Sequence, residues 1–338
     1  MKAIVVTTPG RAEVRDVPMP EYQPNEALVK IEACGLCGTT DRHLVEGCQA
    51  HHPADWYPAI LGHESVGIVV EVGAEVRKFR VGDRVTRPVA LWPGTQRNGL
   101  YSAWGGFAEY GIVRELPAPG DYTADRQHVV PPSLSLDQAV LALSISEVAS
   151  WMAKVGDLRG RTAVIGGTGF AAAVMCQVAR ADEAQAVIAV GRSERKLTWA
   201  RHNGATHALQ LNEATRDAIR QLCDGAGADW FLDAAGHQAV FEQGLAYLRP
   251  GGQAAIYGAP EGFAYRLPLG AVGGDFTVHY YAPNDDAFFA RTCEMIRSGD
   301  IRPELIQTHT WRGLEQFPKA LAEQAAGEVL KGVLHLAS

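Results

Sequence analysis

The 338-residue sequence lacks the features that define several protein classes. No window approaches the roughly 18 consecutive apolar residues that a membrane-spanning helix requires. The formal net charge is −7 and no concentrated basic stripe offsets it, which argues against a nucleic-acid or anionic-membrane partner. The segment Met1–Val6 is a strand-like run without the cleavage site of a signal peptide. We therefore expect a cytoplasmic protein.

Cysteine is also sparse, and its spacing excludes a small disulfide framework. The six cysteines are scattered along the chain at Cys34, Cys37, Cys48, Cys176, Cys223 and Cys293. We expect reduced thiols. Apolar residues make up 47% of the sequence, enough for large buried cores, and the length favours two domains over one.

The pattern of predicted secondary structure differs between the first and second parts of the chain. The first 150 residues contain β-branched and alternating runs bounded by glycine and proline, which predicts a β-rich domain. From about Gly160, short apolar strands alternate with helical stretches of typical length. This alternation predicts an α/β fold with a doubly wound parallel sheet in the second half.

Four residues offer the donor atoms of a catalytic zinc site: Cys37, His63, Glu64 and Glu147. A thiolate, an imidazole and carboxylates are ligands that zinc accepts when one position stays open for water or substrate. The alternatives are a buried apolar thiol for Cys37 and a helix-capping or surface acid for Glu147.

A glycine-rich turn follows the first strand of the βαβ series. Its register is Gly167-x-Gly169-x-x-Ala172, and the intervening residues are Thr168, Phe170 and Ala171. Glycines let the backbone approach a pyrophosphate, which would lie at a helix N-terminus. We therefore expect a dinucleotide to bind here, although a turn that only joins strand to helix would look similar.

The end of the next strand indicates which dinucleotide binds. It reads Gly191-Arg192-Ser193, with Lys196 shortly after, and lacks the acidic residue that usually binds an unphosphorylated ribose. Arg192 can bind a 2′-phosphate through two parallel hydrogen bonds. The sequence thus favours NADP(H) over NAD(H); the alternative is that Arg192 is a solvated surface charge.

Taken together, the motifs resemble those of the zinc-dependent medium-chain dehydrogenase/reductase family of alcohol, polyol and glucose dehydrogenases. The matching segments are Gly35-Leu36-Cys37-Gly38-Thr39, Gly62-His63-Glu64-Ser65-Val66-Gly67, Val81-Gly82-Asp83-Arg84-Val85, Gly167-Thr168-Gly169, Leu248-Arg249-Pro250-Gly251-Gly252 and Lys331-Gly332-Val333-Leu334. The resemblance implies a GroES-like catalytic domain at residues 1–150, completed by about 290–338, with a Rossmann domain at 151–289 between. It also implies an active site in the interdomain cleft.

The resemblance also implies roles for individual residues. Cys37 and His63 take the first two zinc positions, and Glu64 either binds the metal or stands close behind it. Glu147 corresponds to the carboxylate of a Glu-Pro-Leu segment in relatives, although this chain lacks the proline. Thr39 occupies the Ser/Thr position that passes the alcohol proton toward the cofactor ribose; it could equally be a helix N-cap.

Other positions follow from the same resemblance. Ala235 and Tyr257 lie at strand ends, where they would line the nicotinamide cleft or form turns, and Lys331 would reach the cofactor phosphates or be solvated. The outer proton relay departs from the family pattern, because Arg42 replaces the usual histidine. The nearby histidines, His43, His51 and His52, receive no role.

One zinc ion per chain is expected. Many relatives carry a structural zinc on four cysteines, but no cysteine occurs between Val85 and Asp121.

The segment Ala90–Phe107, which varies around the substrate in relatives, contains Trp92, Arg97, Asn98 and Trp104. These residues favour a polyol, sugar or cyclitol, unless the loop merely packs on its own aromatic rings.

Three functions remain open at this stage. The first is a zinc-dependent, NADP(H)-linked alcohol dehydrogenase. The second is a zinc-independent quinone or enoyl reductase of the same fold, and the third is a catalytically silent nucleotide-binding regulatory protein.

The strand-like segment Phe276–Tyr281 resembles the edge strands through which relatives pair into homodimers or homotetramers.

Overall fold

A computed structural model of the protein describes residues 1–48, 53, 55–115, 126–258 and 264–336. The chain forms two compact units: unit 1 comprises Met1–Ser144 and Gln307–Ser338, and unit 2 comprises Ile145–Ile306. The return to unit 1 therefore comes at Gln307, later than the expected 290. The segment before it is tied to unit 2, since the Arg302 N–H donates to Gln177 Oε1 at 2.6 Å and Asn203 Nδ2 donates to the Leu305 carbonyl at 3.2 Å.

The N-terminal part of the chain forms mostly strands. The elements are β1 (Lys2–Thr8), β2 (Arg11–Asp16), β3 (Glu26–Leu36), α1 (Thr40–Glu46), β4 (Ala59–Ile60), β5 (Ser65–Val72), β6 (Arg84–Thr86), β7 (Gln96–Arg97), β8 (Leu100–Ser102), β9 (Tyr110–Arg114) and α2 (Leu136–Val155).

Strands and helices then alternate, as the sequence predicts. The elements are β10 (Thr162–Gly166), α3 (Phe170–Ala181), β11 (Ala186–Gly191), α4 (Glu194–His202), β12 (His207–Gln210), α5 (Thr215–Leu222), β13 (Ala228–Asp233), α6 (Gln238–Leu245), β14 (Leu248–Ile256), β15 (Phe276–Tyr280) and α7 (Asp285–Ser298). The chain ends with β16 (Gln307–Arg312), α8 (Phe317–Ala325) and β17 (Lys331–His335).

Unit 1 contains two sheets, with strand orders β2-β1-β4-β8-β7 and β16-β17-β3-β5-β6, and β9 also pairs with β3. In the second sheet, Leu36 of β3 pairs with Gly332 of β17, and Cys34 pairs with Ser65 of β5. Because Cys37, Glu64 and Lys331 each adjoin one of these paired residues, the register brings distant parts of the sequence to one place.

A buried apolar cluster joins these strands to α1 and α8. Leu36, Leu44 and Leu61 are almost fully buried in it, and the Phe107 and Phe317 rings meet edge to face with centroids 5.0 Å apart. Burying such large side chains contributes about 1.5–3 kcal/mol each. The core therefore fixes the strand ends that carry the candidate ligands.

Unit 2 contains a six-stranded parallel sheet of order β12-β11-β10-β13-β14-β15. Strand order reverses at β10, whose neighbours are β11 and β13, and ligands of doubly wound sheets bind at the carboxyl ends of such strands. Every residue of β10 and β11 is buried, as expected for strands covered on both faces. The predicted fold class is confirmed.

None of the helices in the described ranges has the length and apolar character needed to cross a membrane.

Candidate metal and cofactor sites

Three of the predicted zinc ligands lie together in unit 1. Single donor atoms of Cys37, His63 and Glu64 all lie within 4.8 Å of one another. Cys37 directly follows β3, and His63 and Glu64 directly precede β5. The turn before His63 requires glycine, because Gly62 has φ +113° and a Cβ there would lie 2.5 Å from the Phe107 nitrogen.

Asp41 orients two of these ligands at once. Its Oδ2 accepts the backbone N–H of Cys37 at 2.8 Å, and its Oδ1 lies 3.2 Å from His63 Nδ1. The carboxylate is fully buried in the first turn of α1. An acceptor at Nδ1 leaves Nε2 as the nitrogen that could bind a metal, which is the usual arrangement behind a histidine ligand.

Cys37 and His63 affect each other's ionisation. Burial favours the neutral Cys37 thiol, but the hydrogen bond and charge of His63 prevail and lower its pKa. Burial likewise opposes a charged His63, but Asp41 and then Cys37 outweigh it and raise the His63 pKa well above its ordinary value. Both pKa shifts favour the ionised forms, and the thiolate is the form of cysteine that binds a metal.

Glu64 is held from the other side by Lys331 and Ser144. Lys331 Nζ lies 2.7 Å from Glu64 Oε1 and 2.5 Å from Oε2, and the Ser144 hydroxyl donates to Oε1 at 2.7 Å. Burial acts to raise the Glu64 pKa, but the Lys331 charge outweighs it and lowers the pKa to about 2. Burial acts to lower the Lys331 pKa, and the charge of Glu64 raises it on balance. Both groups are therefore charged at neutral pH.

Lys331 makes a contact that the sequence did not predict. The residue is 4% exposed, so it is not a solvated lysine, and its ammonium is ion-paired with Glu64. The sequence did not reveal this contact, because the pairing depends on the register between β3 and β17.

The residues in this cluster fit a zinc ion. Tetrahedral bonds of about 2.0–2.3 Å place ligand atoms roughly 3.3–3.8 Å apart, so the observed separations need only small side-chain adjustments. Among the described residues, Glu64 Oε2 is buried and accepts no well-aligned hydrogen bond. A thiolate, an imidazole nitrogen and a nearby carboxylate together suit zinc better than a hard cation such as magnesium.

Thr39 lies at the N-cap of α1. It is exposed, and within the described part of the chain its side chain makes no capping hydrogen bond. Arg42 contacts His43 Nε2 at 3.3 Å and the Glu46 carboxylate at 3.7 Å. His51 and His52 lie outside the described residues.

Glu147 belongs to unit 2, on the exposed face of α2. Its Oε1 accepts a hydrogen bond from the Tyr257 hydroxyl at 3.2 Å. The Tyr257 ring packs edge to face against Trp151, with centroids 5.5 Å apart. This side-chain contact was not foreseen from the sequence, which suggested only a backbone role for Tyr257.

The glycine-rich turn lies between β10 and α3, at the reversal of strand order. Gly167 has φ +123°, a conformation that other residues rarely adopt. A Cβ on Gly169, the N-cap of α3, would meet no atom of the described chain within 4 Å. The backbone here therefore leaves space for a ligand at the helix N-terminus.

The neighbouring strand ends carry the other predicted cofactor residues. At the end of β11, Gly191 packs closely on Thr168, since a Cβ there would lie 2.5 Å from Thr168 Cγ2. Arg192 and Ser193 follow and are exposed, and Lys196 is partly exposed on α4. At the end of β13, buried Asp233 accepts the N–H groups of Ala235 at 3.0 Å and Gly236 at 3.2 Å, which fixes the turn containing Ala235.

The aromatic and polar residues predicted to contact substrate lie in two places. The Trp104 ring is 5.4 Å from the His63 ring, beside the donor cluster. Trp92, Arg97 and Asn98 instead line a cavity of about 200 Å³, whose described lining includes none of the donor residues. Glu26 lies in that lining and accepts Trp92 Nε1 at 2.8 Å and Arg114 Nη2 at 2.7 Å.

Sequence reasoning missed Asp41 and Ser144. Asp41 had a usable signal, because an acidic residue four positions after a candidate ligand, in a first helical turn, can point back at it. Ser144 lies 80 residues from Glu64, and no local pattern marks their contact.

Comparison with known proteins identifies the family. The model for the alcohol dehydrogenase GroES-like domain matches residues 23–118, and that for zinc-binding dehydrogenase matches 172–271. An alcohol dehydrogenase of Geobacillus stearothermophilus is 34% identical over 279 residues, which cover 77% of this chain and 78% of that protein. L-threonine 3-dehydrogenase of Pyrococcus horikoshii is 28% identical, covering 99% of both chains.

A solved structure shows the same fold with a cofactor in place. This zinc-binding dehydrogenase from Sinorhizobium meliloti 1021, bound to NADP, is 26% identical with a TM-score of 0.80, and the match covers 99% of this chain and 98% of that one. The predicted family is thus confirmed. The chain belongs to the zinc-binding medium-chain dehydrogenase/reductase family, the alcohol dehydrogenases that act on CH–OH groups.

Proposed function

We propose that this protein is a zinc-dependent oxidoreductase that transfers a hydride between NADP(H) and a secondary alcohol or its ketone. The observation that carries the proposal is the Cys37–His63 pair, oriented on both members by the buried carboxylate of Asp41. A regulatory protein that had lost catalysis would not need two ligands fixed in this way.

Cys37 and His63 are the proposed first two zinc ligands, with Glu147 as the third and Glu64 beside them. Bound zinc supplies a Lewis acid that polarises a carbonyl oxygen and makes an alcohol more acidic. Asp41 Oδ1 lies 3.2 Å from His63 Nδ1, which leaves Nε2 for the metal, and the Trp104 ring lies 5.4 Å from the His63 ring. These contacts keep the donor atoms in place before substrate binds.

Thr39 is the proposed first proton acceptor for the alcohol. Thr39 is exposed at the N-cap of α1, and within the described residues its hydroxyl makes no competing capping hydrogen bond. From Thr39 the proton would pass toward the cofactor ribose and solvent. Arg42 cannot replace the family's histidine as an onward base, because a guanidinium has donors and no acceptor.

NADP(H) is the proposed cofactor. The pyrophosphate would lie over the turn of Gly167, Thr168, Gly169, Phe170 and Ala171, at the N-terminus of α3. The 2′-phosphate would bind the residues Gly191, Arg192, Ser193 and Lys196 at the end of β11, and the nicotinamide would lie near Ala235 and Tyr257. The Sinorhizobium meliloti relative supports this choice, since its structure contains NADP.

A polar secondary alcohol is the proposed substrate class, with polyols, sugars and cyclitols as first candidates. The carboxylate-rich surroundings of the metal site and the Trp104 face support it. The threonine dehydrogenase relative makes amino alcohols a second class to include.

A substrate screen with zinc removal tests the function. Polyols, aminocyclitols, amino alcohols and simple alcohols would be assayed with NADP and then with NAD. We expect activity that disappears on zinc removal and returns on zinc addition, and a Cys37→Ser variant that loses zinc and activity together. Full activity without zinc would instead support the quinone or enoyl reductase, and zinc-loaded protein that binds NADPH but oxidises no alcohol would support the regulatory protein.

We also propose a homodimer or homotetramer that pairs through β15. This strand is an edge of the unit 2 sheet, and unpaired strand edges attract other strands. Tyr280 at its end is 76% exposed, and Leu269 is 72% exposed in the preceding segment. Light scattering is expected to give two or four times the mass of one chain. The substitution Val278→Pro in β15 should shift the protein toward the monomer. A monomeric wild type would contradict the proposal.

A further inference from the structure

A buried carboxylate, Asp233, connects the carboxyl ends of two strands in the unit 2 sheet. Asp233 is the last residue of β13 and is fully buried. Its backbone carbonyl accepts the N–H groups of Tyr257 at 3.0 Å and Gly258 at 2.9 Å, which directly follow β14. Its Oδ1 accepts the N–H groups of Ala235 and Gly236. One residue therefore fixes both strand ends relative to each other.

The second carboxylate oxygen of Asp233 is bound by Tyr265. The Tyr265 hydroxyl donates to Asp233 Oδ2, and its ring packs on the buried Phe241 ring with centroids 4.5 Å apart. The backbone of the next residue, Arg266, is held by Gln238 of α6: its N–H donates to Gln238 Oε1 at 2.7 Å, and Gln238 Nε2 donates to its carbonyl at 2.9 Å. Helix α6 thus fixes the position from which Tyr265 reaches Asp233.

The Tyr265 hydroxyl matters because Asp233 is an ionisable group without contact with water. Burial raises the Asp233 pKa, although the hydrogen bonds from Tyr265 and from the turn oppose this rise. A buried carboxylate oxygen that loses its donor is costly, so the side chain is expected to rotate toward other donors or toward water. Such a rotation would release the N–H groups of Ala235 and Gly236.

We infer that Tyr265 is a positioning residue for the nicotinamide half of the cofactor. The inference rests on the proposed NADP(H) site, in which the nicotinamide lies near Ala235 and Tyr257. The turn that contains Ala235 lies beside the proposed pyrophosphate turn, since a Cβ on Gly167 would come within 3.4 Å of the Ala235 Cβ. By anchoring Asp233, Tyr265 holds this turn and the end of β14 in a fixed arrangement before the cofactor binds.

Binding of a whole and a truncated cofactor tests the inference without turnover. Isothermal titration calorimetry would give the Kd of NADPH and of 2′-phospho-ADP-ribose, which lacks the nicotinamide, for the wild type and Tyr265→Phe. This variant keeps the ring against Phe241 and loses only the hydroxyl. We expect the Kd of NADPH to rise by about fivefold or more, and that of the truncated ligand to stay within about twofold. A general loss of structure would weaken both ligands alike.

Tyr247→Phe is the matched control. Tyr247 is buried in the core of the same unit, with its ring centroid 6.4 Å from that of Phe231. Burial alone raises its pKa, with no carboxylate partner among the described residues. Removal of this hydroxyl should therefore leave both Kd values unchanged. If Tyr265→Phe fails to fold, Gln238→Ala, which loosens the backbone beside Tyr265, should produce the same selective loss of NADPH affinity to a smaller extent.

Two results would overturn the inference. One is a folded Tyr265→Phe protein that binds NADPH as tightly as the wild type, and the other is an equal loss of affinity for the whole and the truncated ligand. Both results leave the proposed cofactor site standing. A wild type that binds neither ligand would remove the proposed NADP(H) site and the inference together.

Discussion

Single charged residues hold the candidate donor residues of unit 1 in place. Asp41 is an acceptor for the Cys37 backbone and lies beside the His63 ring, and Lys331 neutralises Glu64. A buried charge is costly unless it is paired, so each of these carboxylates is tied to a specific partner. Substitution of one partner should therefore affect the other measurably.

The Glu64–Lys331 pair makes stability depend on pH in the zinc-free protein. The Glu64 pKa is about 2 in the folded state against an ordinary value of 4.5, so the unfolded chain binds the proton first as pH falls. The stabilisation is complete above about pH 4.5 and is lost progressively toward pH 2. Urea unfolding measures the free energy of unfolding at each pH. Between about pH 6 and about pH 3, this free energy should fall more steeply for the wild type than for Lys331→Met/Glu64→Gln. Equal slopes for the two proteins would contradict this prediction.

Arg192 should determine the cofactor preference. Arg192→Asp removes the proposed partner of the 2′-phosphate and supplies an acceptor for an unphosphorylated ribose. We expect the ratio of kcat/KM for NADP to that for NAD to fall by at least about tenfold. Arg195→Asp, in the first turn of α4, is the charge-matched control and should change the ratio little. A wild type that prefers NAD would contradict the interpretation that Arg192 binds the 2′-phosphate.

Secondary-structure elements carry these residues to their places. The sequence predicted the β-rich first part and the parallel sheet correctly, because periodicity and glycine spacing are local signals. It also placed the glycine-rich turn between β10 and α3. Register is not a local signal, however, and the pairing of Leu36 with Gly332 is what brings Lys331 to Glu64.

Helix α1 is expected to matter for metal binding through one residue only. Asp41→Ala should weaken zinc binding about 10–100-fold, since it removes the acceptor that orients His63 and the Cys37 backbone. Glu46→Ala on the same helix is the control, because Glu46 is exposed and lies outside the proposed site. Chelator competition measures both variants, and equal losses of affinity would show that the helix as a whole, not Asp41, is responsible.

The whole molecule divides into a unit that holds the proposed metal ligands Cys37 and His63 and a unit with a dinucleotide-type sheet. Each unit has its own apolar core, for example around Phe107 in unit 1 and Phe231 in unit 2. Two cores of this kind match the expectation from length that one core would not suffice.

One zinc ion per chain is the prediction for the whole molecule. The described residues contain a second group of possible ligands, His43, Glu46 and Cys48, but the Arg42 guanidinium contacts two of its members. A cation in that position opposes a metal ion. Elemental analysis should give one zinc for the wild type and for Cys48→Ser, and none for Cys37→Ser; two per wild-type chain would contradict the prediction.

Local motifs and periodicity were enough to predict the family, the two types of domain and most candidate site residues. The folded structure was needed to show that Asp41 contacts two candidate ligands, that Trp104 approaches His63, that Trp92 lines a cavity whose described lining includes no donor residue, and that Lys331 pairs with Glu64. Those contacts join residues far apart in the chain, and their formation depends on strand register and on the burial of charge, which no local pattern encodes.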